Sequence, residues 1–192
     1  MSHRILNSIF VLISAFFVVT TIFSGLLFVI SLFWGFTLFT IMHQIESIHK
    51  VLEKYWGHQH FRPLQLEIIQ SILSGTETIG LLPTGGGKSV CFQIPALLMN
   101  GYSLIVSPLV ALIKDQVITL EKSGIPAAGI NYQMSREEIS EVYKKCRLGK
   151  IKLLYVSPER LQNQDLLKLI ALAPPSMIVV DEAHCISQWG QD

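Results

Sequence analysis

The nine residues LLPTGGGKS, positions 81–89, constrain this chain more tightly than any other stretch. Consecutive glycines stand between an apolar run, TIGLL (78–82), and an apolar helical stretch from about Val90 to Met99. That pattern specifies an abrupt turn from a short buried strand into a helix. Glycine lets successive backbone N–H groups converge on one point, and the helix N-terminus behind them favours negative charge. Phosphate oxygens suit such a cradle. Lys88 adds a positive charge where β- and γ-phosphates would lie, and the Ser89 hydroxyl is a ligand type for Mg²⁺. Thr84, Gly85, Gly86, Gly87, Lys88 and Ser89 are therefore candidate nucleotide-binding residues. The strict spacing of such loops has glycine where this chain has Leu82.

A nucleotide held with Mg²⁺ needs a second strand end that carries acid. The segment IVVDEAHCISQWGQD supplies one: apolar residues run into Asp181 and Glu182. Asp181 is the candidate metal residue, with Ser89, and Glu182 is placed to orient and deprotonate an attacking water. An isolated Asp-Glu pair reads equally well as a helix N-cap. Its company, the glycine loop 93 residues upstream, favours the metal and water reading.

Between and around these segments the pattern alternates. Ile45, Ile48, Val51 and Leu52 share one helical face, and a second helix has Pro63 in its first turn and Gly75 just past its end. Its apolar stripe is Leu64, Ile68, Ile69 and Ile72. Strands are expected at Ser103–Ser107, Ala127–Ile130, KLLYVS and MIVV. Helices are expected after Pro108, at EEISEVYKKC with a Ser135–Glu138 capping box, and at LQNQDLLKLIAL. Short apolar strands alternating with helices specify an open, mostly parallel sheet covered on both faces. Ligands of such sheets bind beyond the carboxyl ends of the strands, where PTGGGKS, SPL and DEAH fall.

The first forty residues are of another kind. From Ile5 to Ile45 there is no Asp, Glu, Lys or Arg, whereas all 14 acids and 14 of the 15 Lys/Arg lie from Glu46 onward. Two readings of this apolar, helical leader stand. One is a transmembrane hairpin broken at Ser24-Gly25, anchoring the chain through residues 5–42 with both ends cytoplasmic. The other is translation of T-rich DNA upstream of a true start at Met42, since Phe, Leu, Ile, Met and Val make up 25 of residues 1–41. The organisation expected is a leader, 1–41, and one α/β domain, 42–192. The near-zero net charge of +1 argues against a polybasic nucleic-acid binder. Cys91, Cys146 and Cys185 lack metal spacing and read as reduced, buried thiols of a cytosolic protein.

In order along the chain, WGHQHFRPLQLEII, LLPTGGGKSVCFQIPAL, IVSPLVALIKDQV, LLYVSPERL and VVDEAHCISQWGQD resemble the successive motifs of the RecQ family of superfamily 2 DNA helicases. The resemblance covers about residues 43–192, and in that family the position of Leu82 need not be glycine. It implies an incomplete RecA-like nucleotide-binding lobe and ATP-driven 3′→5′ unwinding in recombination and repair. ATP and Mg²⁺ are the implied cofactors, and single-stranded and forked DNA, without sequence preference, the implied partner. Arg62 and Gln65 then read adenine, and His58 stands where the family commonly has a larger aromatic ring. His60 reads as a solvated loop histidine.

Ser107, Pro108, Leu109 and Lys114, with Pro158, Glu159 and Arg160, match segments that touch the DNA backbone. His184, Ser187, Gln188 and Trp189 match an aromatic-rich loop that couples DNA contact to hydrolysis, with Gln191 where the family usually has His. The resemblance further implies that a second lobe with its arginine finger lies outside this sequence, so that the chain alone would hydrolyse little ATP. The alternatives are a membrane-anchored nucleotide-binding module and an RNA-directed DEAH-type ATPase. Because the leader offers no amphipathic face to a soluble core, deleting residues 1–41 should leave the remaining domain folded. Circular dichroism of the truncated chain checks this; loss of its cooperative melt would contradict it.

Overall fold

The computed structural model describes residues 42–83 and 85–183. The chain divides into two compact units, Met1–Glu46 and Ser47–Asp192. The leader, 1–41, lies outside the described residues, and so does the choice between its two readings. Among the described residues no helix is long and apolar enough to cross a membrane.

The second unit is a layered α/β domain. Residues 47–56 are helical (α1). There follow α2 (Gln65–Leu73), α3 (Lys88–Leu98), β1 (Ser103–Val106), α4 (Val110–Lys122), β2 (Ala127–Gly129) and α5 (Arg136–Arg147). Then come β3 (Leu153–Val156), a 3₁₀ turn at Pro158–Gln162, α6 (Gln164–Leu172) and β4 (Met177–Val180). The sheet is parallel throughout, in the order β2-β3-β1-β4. This is the α/β architecture that the alternating pattern specifies.

β1 and β3 are buried along their whole length, because helices cover both faces and leave no side for polar residues. Leu104, Val106, Leu154 and Val156 point to one face, where Tyr143, Cys146, Leu166 and Leu169 of α5 and α6 close over them. Ile105, Leu153 and Tyr155 point to the other and meet Phe92 and Ala96 of α3 with Ile113 and Leu120 of α4. A third cluster, Ile48, Leu52, Ile69 and Ile94, joins α1, α2 and α3. Burial pushes the thiols up, to about 11 for Cys91 and about 12 for Cys146, so both are the inert free cysteines expected. Cys185 lies outside the described residues.

The capping box forms as read: the Glu138 N–H donates to Ser135 Oγ at 3.1 Å and the Ser135 N–H to Glu138 Oε2 at 2.7 Å. Four local expectations are corrected. TIGLL is not a buried strand; it makes no sheet pairing, and Ile79 and Leu81 are 90% and 84% exposed. A buried strand needs a neighbour for its backbone groups, and none of the described strands lies beside it. β4 is a strand but not a buried one: Ile178 and Val180 are exposed, since β4 lies at the sheet edge with one side open. The helix after Pro63 starts only at Gln65, because Leu64 takes a left-handed turn (φ 69°), which exposes Leu64 and buries Gln65. LQNQDLLKLIAL is interrupted at Asn163, whose side-chain oxygen accepts the N–H groups of Asp165 and Leu166 and so starts α6 afresh.

The burial contrast within the sheet is testable. Leu104→Ala, at the sheet centre, should cost about 2–5 kcal/mol of unfolding free energy. Ile178→Thr, on the open side of β4, should change it by no more than about 0.5 kcal/mol. Urea denaturation of both variants checks the difference; equal losses would show that β4 is covered.

Candidate functional site

The glycine loop is shaped by its own backbone and by two side chains, Arg62 just before α2 and Gln65 at its start. Gly85 and Gly87 adopt left-handed conformations (φ 77° and 78°) that side-chain-bearing residues rarely tolerate. A Cβ on Gly86 would sit 2.8 Å from the Pro83 carbonyl oxygen, and one on Gly87 would run into the Gln65 amide. The Gln65 amide, almost fully buried, donates to the carbonyls of Gly86 (3.3 Å) and Gly87 (3.1 Å). Its own oxygen accepts the Arg62 N–H at 2.8 Å, and the Arg62 guanidinium donates to the Gly85 carbonyl. Gly87 caps α3 without a side-chain hydrogen bond, and its carbonyl accepts the Val90 N–H at 3.2 Å.

These parts enclose a cleft of about 450 Å³. Gly85, Gly87, Lys88 and Ser89 line one side of it and His58, Arg62 and Gln65 another. Trp56 and Leu52 add an apolar wall, and His60 also reaches the cleft. In the sequence reading Leu52 is core-forming only and Trp56 has no role, although Trp56 opens the segment WGHQHFRPLQLEII, which is the available signal. Thr84 lies outside the described residues.

The acid pair meets the loop directly. The Asp181 N–H donates to the Val106 carbonyl (2.9 Å), which fixes the acids at the end of β4. Glu182 then turns left-handed (φ 50°), with its N–H donating to Asp181 Oδ1 at 3.0 Å. From there Glu182 Oε1 accepts from Lys88 Nζ at 3.2 Å, across 94 residues of chain. Burial holds the Asp181 carboxyl above its usual range; the Glu182 charge adds to the rise, while the Glu182 N–H and Lys88 oppose it. Glu182 and Lys88 lie beside each other and Asp181 behind them.

Behind Ser89 runs a polar chain whose members have no role in the sequence reading. The Gln116 amide of α4 donates to Ser89 Oγ at 3.4 Å, and the Gln93 amide of α3 donates to Gln116 Oε1 at 3.0 Å. Gln93, only 3% exposed, also donates to the Tyr155 hydroxyl at 3.2 Å. Burial first, and the nearby Asp181 charge second, push Tyr155 up to about 12 against the lowering by Gln93, so it keeps its proton.

The remaining described candidates follow the carboxyl ends of β1 and β3, with Lys114 in the second turn of α4. Ser107 is buried with its hydroxyl lacking a hydrogen-bond partner among the described residues, Leu109 and Lys114 are exposed, and Pro108 is half-buried. Pro158 and Arg160 are half-buried, and Arg160 Nη2 donates to the Asn131 carbonyl at 3.1 Å. His184, Ser187, Gln188, Trp189 and Gln191 lie outside the described residues.

With this geometry in view, comparison with known proteins is informative. Residues 62–192 match the family described as DEAD/DEAH box helicase. An ATP-dependent DNA helicase RecQ of Synechocystis sp. is 44% identical over 147 residues, 76% of this chain and 31% of that protein. RecQ of Bacillus subtilis is 42% identical over 153 residues (79% and 25%), and the same organism's probable ATP-dependent DNA helicase RecS is 44% identical over 149 (77% and 30%). The chain thus spans about a third or less of the length of these relatives. A crystal structure of a hypothetical ATP-dependent RNA helicase from Sulfolobus tokodaii has the same fold. It matches with TM-score 0.57 and 21% identity over 76% of this chain and 43% of that one.

The raised Asp181 carboxyl makes a stability prediction with a definite sign. A carboxyl that is harder to ionise folded than unfolded contributes stability in acid and loses it as the pH rises through the folded value. Asp181→Asn should therefore melt higher than the parent at about pH 7, and the gap should close near pH 3. Thermal denaturation at the two pH values checks this; a lower melting temperature for the variant at neutral pH would contradict it.

Proposed function

The chain belongs to the DEAD/DEAH box helicase family and is of the RecQ type, and from that premise we propose that it carries the nucleotide-binding part of an ATP-dependent DNA helicase. The observation that carries the proposal is the 3.2 Å contact between Lys88 and Glu182. It joins the phosphate loop to the acid pair in one site, as an Mg-nucleotide hydrolase requires.

The residues present fit the group they would hold. The glycine loop, whose Gly86 and Gly87 have no room for a Cβ beside Pro83 and Gln65, leads into the N-terminus of α3, where phosphate oxygens would be favoured. Hard oxygen donors on Ser89 and Asp181 suit Mg²⁺. Bound there, Mg²⁺ would neutralise charge on the phosphates. Lys88 would hold the β- and γ-phosphates. Glu182, released from Lys88 as they arrive, would accept the proton of the attacking water. Arg62 and Gln65 line the same cleft as the loop and tie to it, so adenine read there would be coupled to loop geometry. His58 would pack on the base and Trp56 would offer it an apolar wall. Thr84 belongs to the same loop.

Ser107, Pro108, Leu109, Lys114, Pro158 and Arg160 we assign to the backbone of a single DNA strand, because all but Lys114 follow β1 or β3 on the side where the acids end β4, and Lys114 stands in the second turn of α4, which starts there. His184, Ser187, Gln188 and Trp189 would couple that strand to the acids. Forked DNA as substrate, a cytosolic setting, and the division into a leader (1–41) and an ATP-binding domain (42–192) complete the proposal. The RNA-directed reading has no comparable support, since the likeness to the Sulfolobus tokodaii protein, at 21% identity, speaks to fold alone.

Titration with a fluorescent ATP analogue and Mg²⁺ tests the site. Lys88→Ala should weaken binding at least about tenfold, since a charge-assisted phosphate contact is lost. Glu182→Gln should bind as well as the parent or a few-fold tighter, because it removes the carboxylate that occupies Lys88. A Glu182→Gln protein that binds as poorly as Lys88→Ala would overturn the assigned roles.

A further inference from the structure

A second cavity, of about 760 Å³, lies between α5, α6 and the 3₁₀ turn, on the sheet face opposite α3 and α4. Arg136, Arg147, Arg160 and Lys168 line it, with Asp165 as the one acid. Asp165 already pairs with Lys168 at 3.4 Å, whereas none of the three guanidiniums has a carboxylate partner among the described residues. The lining therefore carries an uncompensated charge of about three on planar, many-donor groups suited to a tetrahedral oxyanion.

An independent observation points to the same ligand. Tyr143, only 7% exposed, lines this cavity, and its buried hydroxyl has no hydrogen-bond partner among the described residues. Orphaned buried hydroxyls are rare because each costs its hydration without return. The Arg160 charge acts on this hydroxyl strongly enough to offset part of the effect of its burial. The hydroxyl itself is closed off from solvent, and a small rotation of the ring toward the Arg160 guanidinium would let the two share an anionic oxygen.

We propose that the α5–α6 cavity is a second phosphate-binding site, separate from the glycine loop, held by Arg136, Arg147, Arg160 and Tyr143. It shares with the site described above only Arg160, which also ends β3. Two sources of phosphate fit. One is a free phosphate or phosphorylated small molecule. The other is the backbone of a nucleic-acid strand that continues past Arg160 along α5, whose twelve residues run for about 18 Å.

The experiment silences the first site and reads the second. In a Lys88→Ala background, inorganic phosphate should still raise the melting temperature relative to chloride at equal ionic strength. Adding Tyr143→Phe or Arg147→Gln should weaken that response about tenfold in phosphate concentration. Non-specific salt effects, equal in all variants, cancel in this comparison. Without phosphate, Tyr143→Phe should melt no lower than its parent, since it removes an unpaired buried hydroxyl. Anisotropy of a labelled oligothymidylate separates the sources. Weaker binding by the same variants identifies a nucleic-acid strand, and unchanged binding with a lost phosphate response identifies a free phosphate. Loss of the phosphate response on Lys88→Ala alone would overturn the proposal. So would indifference of both probes to the α5–α6 substitutions, or a lower melting temperature of Tyr143→Phe in phosphate-free buffer.

Discussion

Everything positioned at the working edge of this domain depends on the register of β1. Ser103–Val106 pairs in parallel with Leu153–Val156 on one side and Met177–Val180 on the other, so the three strands end at one level. The residues that follow, Ser107, Ser157 and Asp181, therefore stand abreast, about 4.8 Å apart from strand to strand. Backbone bonds from Ser107 to Val156 and from Asp181 to Val106 continue the ladder one step past the strands. A slip of one residue would turn Leu104 and Ile105 to the wrong faces and move the acid pair off this row. The hydrophobic side chains thus fix the position of polar ones that they never touch.

The polar chain from Ser89 to Tyr155 serves the same end from beneath. Gln93 and Gln116 each use their amide to hold the next, so α3, α4 and β3 cannot shift separately without leaving a buried donor unpaired. The Ser89 hydroxyl receives its orientation through that chain, and Gln65 gives the loop carbonyls theirs from above. The glycine loop, which has little stiffness of its own, is held between two amide networks.

Much of this was legible in the sequence, for physical reasons that also explain the rest. Periodicity and capping are local, so β1, β3, α5 with its Ser135–Glu138 box, and the pairing of the glycine loop with the acids could be read directly. Whether an apolar run finds a neighbour is not local. TIGLL and MIVV look alike as sequence, yet one finds no strand partner among the described residues and the other lies at an edge. Leu64 and Gln65 exchanged their expected burial because a single left-handed residue rotates everything after it. Gln93, Gln116 and Trp56 lie within the segments that carry the resemblance, yet residue type and spacing give them no role; what they do arises from what the fold brings beside them. The roles of Thr84 and of His184 to Trp189 rest on resemblance, since those residues lie outside the described ones.

The open side of β4 has a consequence for the protein in concentrated solution. Ile178 and Val180 face solvent there beside an unpaired strand edge, while Ile79 and Leu81 are exposed on a separate extended segment. Such an edge can template a strand from another molecule. Self-association through it would be concentration-dependent and indifferent to salt, since hydrogen bonds and apolar side chains, not charge, would drive it. Lysine substituted on that side of β4 would improve handling in solution without disturbing the row of strand ends on which the site is built.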